Sequence, residues 1–278
     1  MSTSKRRRAR VQGGWAAPAK NVRSDATKGQ MPAAPAWLGN NADGSDKDKK
    51  MFVYEEPEEK CREVPKERVI DKPGVFELST EPTGISRVRF FPNFVDPKEC
   101  EWLFEQLFHD LPWRQRSDVK NGESYLQPRL TAWFGDLQYS YSGVTHQPNP
   151  HWPPVLTMLK DRLQEVTGLT FNSMLANLYR DGKDSVAWHS DDEPSLGSQP
   201  TIASLSFGDT RNFELRKKPL PEENDDYTYA ERVKIPLASG SLLIMEGATQ
   251  EDWQHRIPRE YHDRSARINL TFRVIYPT

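Results

Sequence analysis

The sequence predicts a mainly β protein of the α+β class, an antiparallel barrel or sandwich backed by helices. Strand-like segments crowd the C-terminal part, at 171–179, 201–207, 211–217, 229–235, 241–245 and 267–276. Helical spacing is confined to a few stretches ahead of them. The last segment alternates cleanly. Ile268, Leu270, Phe272, Val274 and Tyr276 share one face, and Arg267, Asn269, Thr271 and Arg273 share the other.

In chain order, residues 1–50 are rich in Pro, Ala, Gly, Ser, Asn and Lys, lack periodicity and are expected to be disordered. Lys5-Arg6-Arg7-Arg8-Ala9-Arg10 reads equally as an import signal or nucleic-acid tether and as a solvated charge run. Residues 51–68, acidic and interrupted by Pro57 and Pro65, read as a linker that docks on the body. The expected division is a tail and linker over 1–65 and a body over 66–278. Short strands are expected within 75–94. A helix follows, with Asp96 as N-cap, Pro97 at N1 and Glu99 at N3. Trp102, Leu103, Leu107 and Phe108 form its expected apolar face, and Pro112 ends it. A second helix starts near Pro153, buries Val155, Leu156, Leu159, Leu163 and Val166, and stops at Gly168. There are no internal repeats.

Composition narrows the class. With 36% hydrophobic residues and a mean hydropathy of −0.80, part of the 278-residue chain is expected to stay outside a core. Cys61 and Cys100 make neither a disulfide framework nor a zinc-finger spacing, which suits a reducing compartment. No apolar run approaches a membrane span or a signal peptide, so insertion and secretion are not expected. The net charge of −2 hides an asymmetry: residues 1–50 carry +7 and the remainder −9. Any basic groove for nucleic acid must therefore be local.

The chemistry centres on Trp188-His189-Ser190-Asp191-Asp192. On an extended segment, His189 and Asp191 turn to the same face. One further histidine would complete a 2-His-1-carboxylate triad, which suits Fe(II) and leaves positions open for oxidative chemistry. His255 and His262 are the candidates. Alone, H-x-D is weak. It gains weight from the polar face of 267–276. Such a face usually lies in water, yet arginines at both its ends form a better grip for carboxylates. Six residues of strand span about 20 Å, so two inward-leaning arginines leave a gap near the length of a five-carbon dicarboxylate.

H-x-D, a distant His and R-x-N-x-T-x-R, preceded by Asn177-Leu178-Tyr179-Arg180-Asp181-Gly182, together resemble the AlkB family of Fe(II)/2-oxoglutarate dioxygenases, over residues 65–278. The resemblance implies a double-stranded β-helix, or jelly roll. It implies His189, Asp191 and His255 as iron ligands, the family's spacing to its first arginine favouring His255 over His262. Arg267 would hold the distal carboxylate of 2-oxoglutarate. Arg273, Asn269 and Asn177 would hold the metal-proximal end, with Tyr179 adding a hydroxyl and Leu175 walling the oxidant; a satisfied core amide is the alternative for Asn177. The implied reaction removes N-methyl groups from single-stranded DNA and RNA in alkylation damage repair and yields formaldehyde, succinate and CO2. Work in nucleus and cytoplasm, beside a helicase-containing complex (ASCC), is implied as well.

The expected bases, 1-methyladenine and 3-methylcytosine, are cationic, so their pocket needs aromatic faces and a carboxylate. Asp192 is the candidate acid, with a surface charge as its alternative. Trp113, Tyr125, Tyr139 and Tyr141 fall in the segment, about 111–150, where the family builds a nucleotide-recognition lid; packing is the alternative for Tyr139 and Tyr141. Arg129 points to the same pocket. Residues 114–127 are polar, with Asn121-Gly122 as a turn, and show no apolar finger before Tyr125, which favours single strands. Arg216-Lys217-Lys218 suits backbone phosphates, and the acidic run 222–226 would confine the strand. The rivals are a hydroxylase of a protein or small molecule and a non-catalytic nucleic-acid-binding module. A zinc hydrolase would leave the paired arginines without a role.

Overall fold

The computed structural model describes residues 62–120, 123–141 and 144–277. The expectations for the tail, for residues 5–10, for most of the linker, for Cys61 and for the Asn121-Gly122 turn lie outside the described residues. So does the side chain of Tyr141.

The architecture is two facing sheets with helices on one outer side. The larger sheet has eight strands, Gly74–Glu81 (β2), Gly84–Phe91 (β3), Arg114–Lys120 (β4), Glu123–Gly135 (β5), Ser173–Tyr179 (β8), Ile202–Gly208 (β10), Leu242–Gly247 (β13) and Arg267–Arg273 (β15), in the order β2-β3-β13-β10-β15-β8-β5-β4. The smaller comprises Arg68–Val69 (β1), Val186–His189 (β9), Arg211–Lys217 (β11), Arg232–Leu237 (β12) and Trp253–Ile257 (β14), in the order β1-β12-β11-β14-β9. Tyr139–Tyr141 (β6) and Val144–His146 (β7) form a separate hairpin. Among the described residues the α-helices are Pro97–Asp110 (α1), Pro154–Thr167 (α2) and the single turn Thr249–Asp252 (α3).

Strand β15 shows how period-two alternation builds this body. It sits between β10 and β8, and its seven residues are all buried. Ile268, Leu270 and Phe272 join Leu103, Leu107, Leu156, Leu159 and Leu163 in the core between the large sheet and the helices. Arg267, Asn269 and Thr271 turn to the space between the sheets. The water-exposed polar face common in antiparallel strands does not occur, because the second sheet covers it. Tyr276, expected on the apolar face, lies past the strand end and is 57% exposed.

The helices keep the expected bounds. Asp96 accepts a hydrogen bond from the Lys98 N–H at 2.8 Å, and Gly168 caps α2 at φ 73°, a left-handed conformation suited to glycine. The apolar face of α1 differs from the expected one. Cys100, Leu103 and Leu107 are buried, whereas Trp102 and Phe108 are exposed at 54% and 38%. Glu99 is not a capping-box partner but binds Arg162 of α2 through both carboxylate oxygens, at 2.8 and 3.1 Å.

The segment expected as a lid is divided. Residues 130–135 of β5 pair with β8 inside the large sheet, and the outer part of the β4–β5 hairpin projects beyond it.

Candidate active site

β9 and β14 pair so that His189 stands opposite His255, their ring centroids 4.2 Å apart. Just beyond β9, Asp191 turns inward and is 1% exposed. Its N–H donates to Gln250 Oε1 at 2.9 Å, and Ser190 Oγ donates to the Trp253 carbonyl at 2.9 Å, so the turn is pinned to the α3–β14 junction. One ligand atom from each of His189, Asp191 and His255 lies within 4.8 Å of the others. His262 is exposed in a loop.

The electrostatics suit a cation. His189 Nδ1 lies 2.9 Å from the Ala187 carbonyl, which only accepts, so Nδ1 carries the proton and Nε2 faces Asp191 Oδ1 at 3.8 Å. Burial lowers both imidazole pKa values, that of His255 to about 3 with the neighbouring His189 contributing, which leaves them in the metal-binding neutral form. Burial alone would raise Asp191, but Arg273, His255 and His189 outweigh it and hold the carboxyl at about 2. Arg273 donates to Asp191 Oδ2 from Nη2 at 2.6 Å and from Nε at 3.1 Å. Oδ1 is buried without a hydrogen-bond partner. Two neutral imidazoles beside a bare carboxylate oxygen fit a divalent iron ion.

A narrow cavity extends from this cluster between the sheets. Leu175, Asn177 and Tyr179 of β8 line it together, as do Arg129, Arg267, Asn269, Thr271 and Arg273. A polar chain crosses its wall. Arg129 Nε donates to Asn177 Oδ1 at 2.9 Å, Thr271 Oγ1 donates to Asn269 Oδ1 at 3.0 Å, and Asn269 Nδ2 donates to Ser204 Oγ at 2.7 Å. Asn177 is thus both a satisfied amide and a lining residue. Arg267, 1% exposed, donates through Nη2 to Ser206 Oγ at 2.9 Å, while its Nε and Nη1 are buried without hydrogen-bond partners. Burial, with Arg211 nearby, lowers its pKa to about 10. A buried guanidinium with open donors, across the cavity from a second guanidinium with a free Nη1, fits a dicarboxylate such as 2-oxoglutarate.

The residues expected around a substrate base separate into groups. Arg129 and Leu175 line the cavity. Tyr139 is fully buried, stacked on Trp133 at 4.9 Å and 12°, with its hydroxyl donating to Glu193 Oε2 at 3.1 Å. Trp113 instead packs at the end of α1, where its Nε1 donates to the Phe108 carbonyl at 3.0 Å. Tyr125 is 43% exposed on the projecting hairpin. Asp192 also lies outside the cavity, its side chain 63% exposed and 3.8 Å from Lys218 Nζ. Alternation explains this: neighbouring acids at a strand end point opposite ways.

Glu193, which no sequence motif marks, is the acid that turns back toward Tyr139. Burial, with Asp191 adding repulsion, raises its pKa to about 7. Only its place two residues past Asp191 could have signalled it. His146, which no motif marks in the sequence, is buried with its ring centroid 5.3 Å from that of Trp133 and 6.4 Å from that of Tyr139, opposite Tyr139 in the β6–β7 hairpin. The basic cluster is split as well. Lys217 pairs with Glu81, Lys218 Nζ donates to the Gln250 carbonyl at 3.0 Å, and Arg216 lies over Tyr227. In the acidic run, Glu223 binds Arg62 at 2.6 Å.

The family model described as the 2OG-Fe(II) oxygenase superfamily matches residues 87–273. The human alpha-ketoglutarate-dependent dioxygenase alkB homolog 3 is 60% identical over 277 residues, covering 98% of this chain and 96% of its own. The mouse protein of that name is 59% identical over 281 residues, with the same coverage of 98% and 96%. The mouse DNA oxidative demethylase ALKBH2 is 44% identical over 185 residues, covering 65% of this chain and 77% of its own.

Proposed function

The chain belongs to the AlkB branch of the 2OG-Fe(II) oxygenase superfamily as an iron(II)- and 2-oxoglutarate-dependent dioxygenase, and we propose that it demethylates 1-methyladenine and 3-methylcytosine in single-stranded DNA and RNA. One observation carries the chemistry: Arg267 is a buried cation with open donors in the same cavity as the His189–Asp191–His255 cluster. In this reading His189 Nε2, His255 and Asp191 Oδ1 hold the iron. Arg267 receives the distal carboxylate, and Arg273 Nη1, Asn269 and Asn177 line the proximal end. When bound, iron(II) and 2-oxoglutarate supply an O2-derived oxidant that hydroxylates the N-methyl carbon; the hemiaminal then releases formaldehyde and the restored base.

The chain's own residues do the rest. Leu175 and the aliphatic walls exclude water from the cavity, and the pinned turn at Asp191 keeps the ligand set rigid. On the substrate side, Arg129 and Leu175 line the cavity beside the ligand cluster, while Tyr139, Trp133 and Glu193 pack behind it and hold one another. The hairpin beyond the large sheet, with its run of polar residues, supports a single strand rather than a duplex that must be opened.

The test is anaerobic loading with iron(II) and 2-oxoglutarate, followed by O2 and a 3-methylcytosine single strand. Succinate and formaldehyde in equal amounts are the expected result. Succinate without formaldehyde keeps the oxygenase and overturns the substrate.

A further inference from the structure

The outer face of the smaller sheet carries an arrangement that the cavity does not explain. On β9 the alternation that turns His189 inward turns Trp188 outward. Arg216 of β11 stands opposite Gln254 of β14 and Arg232 of β12, and Glu214 stands opposite Arg256 and Lys234. One face therefore gathers Arg216, Arg232, Lys234 and Arg256 around a single carboxylate, Glu214, which binds Arg256 at 2.7 Å. Two aromatic rings hold the guanidiniums. The Arg216 carbon lies 3.5 Å from the Tyr227 ring centroid and 4.5 Å from that of Trp188, and the Arg256 carbon lies 4.5 Å from Trp188. Stacking fixes the guanidinium planes: Nε and Nη2 of Arg216 donate to Gln254 Oε1 and those of Arg256 meet Glu214 Oε2, so the pair forms a rigid cationic platform beside Arg232 and Lys234. Burial, with Arg232 and Arg256 nearby, lowers the pKa of Arg216, and Tyr227 opposes the shift.

We propose that this face binds the phosphate backbone of the single strand whose methylated base occupies the cavity, and the proposal rests on the nucleic-acid reading above. β9 is the edge strand of its sheet. A chain leaving the base pocket beside His189 meets this edge, and one residue away Trp188 opens onto the basic face. Phosphate is the fitting anion: successive phosphates match several cations spread over neighbouring strands.

The experiment measures fluorescence anisotropy of the iron(II)- and 2-oxoglutarate-loaded protein under anaerobic conditions. The probes are a labelled 3-methylcytosine 15-mer and a labelled trinucleotide, followed over a range of salt concentrations. The variants are Arg216→Gln with Arg256→Gln, and separately Arg232→Gln with Lys234→Gln, which leaves the stacked arginines and rings in place. For each pair, affinity for the 15-mer should fall about tenfold relative to the trinucleotide, and the salt slope should shrink by about 1.4, at ~0.7 per lost phosphate contact. An unchanged 15-mer affinity and slope in the Arg232/Lys234 pair overturns the proposed face, while demethylation by the wild type keeps the substrate reading. If the wild type binds no single strand, both fall together.

Discussion

The two ends of β15 carry the same residue in opposite situations. Arg273 and Arg267 are buried to a similar degree, at 4% and 1% exposure, on the same face of one strand. Arg273 has an anion: Asp191 accepts two hydrogen bonds from it, and although burial pulls its pKa down, Asp191 leads the interactions that raise it. Arg267 has hydroxyl and aromatic neighbours and keeps two open donors, so burial lowers its pKa. A buried charge is costly unless paired. The paired end has its charge matched before any ligand arrives and orients a metal ligand, with Nη1 left open toward the cavity. The unpaired end is unfinished until a ligand carboxylate arrives, which is how an anion site differs from a structural ion pair.

The strongest test breaks the paired end. Asp191→Ala leaves Arg273 buried without its anion and should destabilise the fold by about 3–5 kcal/mol in urea unfolding. It should also abolish Co(II) binding followed by absorption. The opposite substitution, Arg267→Met, should leave the unliganded melting temperature level or raised, since it removes an uncompensated charge. It should nevertheless weaken 2-oxoglutarate by about 3 kcal/mol in calorimetry, over a hundredfold. Equal destabilisation by both variants would erase the distinction between the two ends.

Acid should act through His146, whose pKa is lowered to about 4 by burial and by the charges of Arg116 and Arg273. With the folded pKa below the unfolded 6.5, its contribution is complete above the unfolded value and is lost as pH falls through the folded one. At pH 5 about 2 kcal/mol should already be gone. His146→Phe should flatten that part of the stability profile. The smallest effect belongs to Asp192→Ala. This exposed neighbour of Asp191, 3.8 Å from Lys218, should change stability by less than about 0.5 kcal/mol. A larger loss would mean that Asp192 shares the role of Asp191.

Much of this was legible before any coordinates. Asp96, Pro97 and Gly168 mark helix ends because capping is local chemistry. The alternation of 267–273 sorts its residues into two faces, and H-x-D points both ligands one way, because backbone geometry sets side-chain direction. Less legible were Trp102 and Trp113, whose apolar bulk suggested burial in a helix face and a base pocket. The first is exposed and the second packs against α1. The sequence does not distinguish Glu193 from Asp192, because nothing local tells which of two adjacent acids meets Tyr139.

The sequence by itself determined the periodicities, the ends of the helices and the set of side chains able to bind iron and a dicarboxylate. These follow from interactions between residues a few positions apart. Only the tertiary structure decided that the polar face of β15 is dry, that Arg273 meets Asp191 82 positions away, and that Arg267 meets no acid. Those outcomes depend on which sheet covers which face. Burial and pairing arise when distant segments pack together, and no local pattern encodes that.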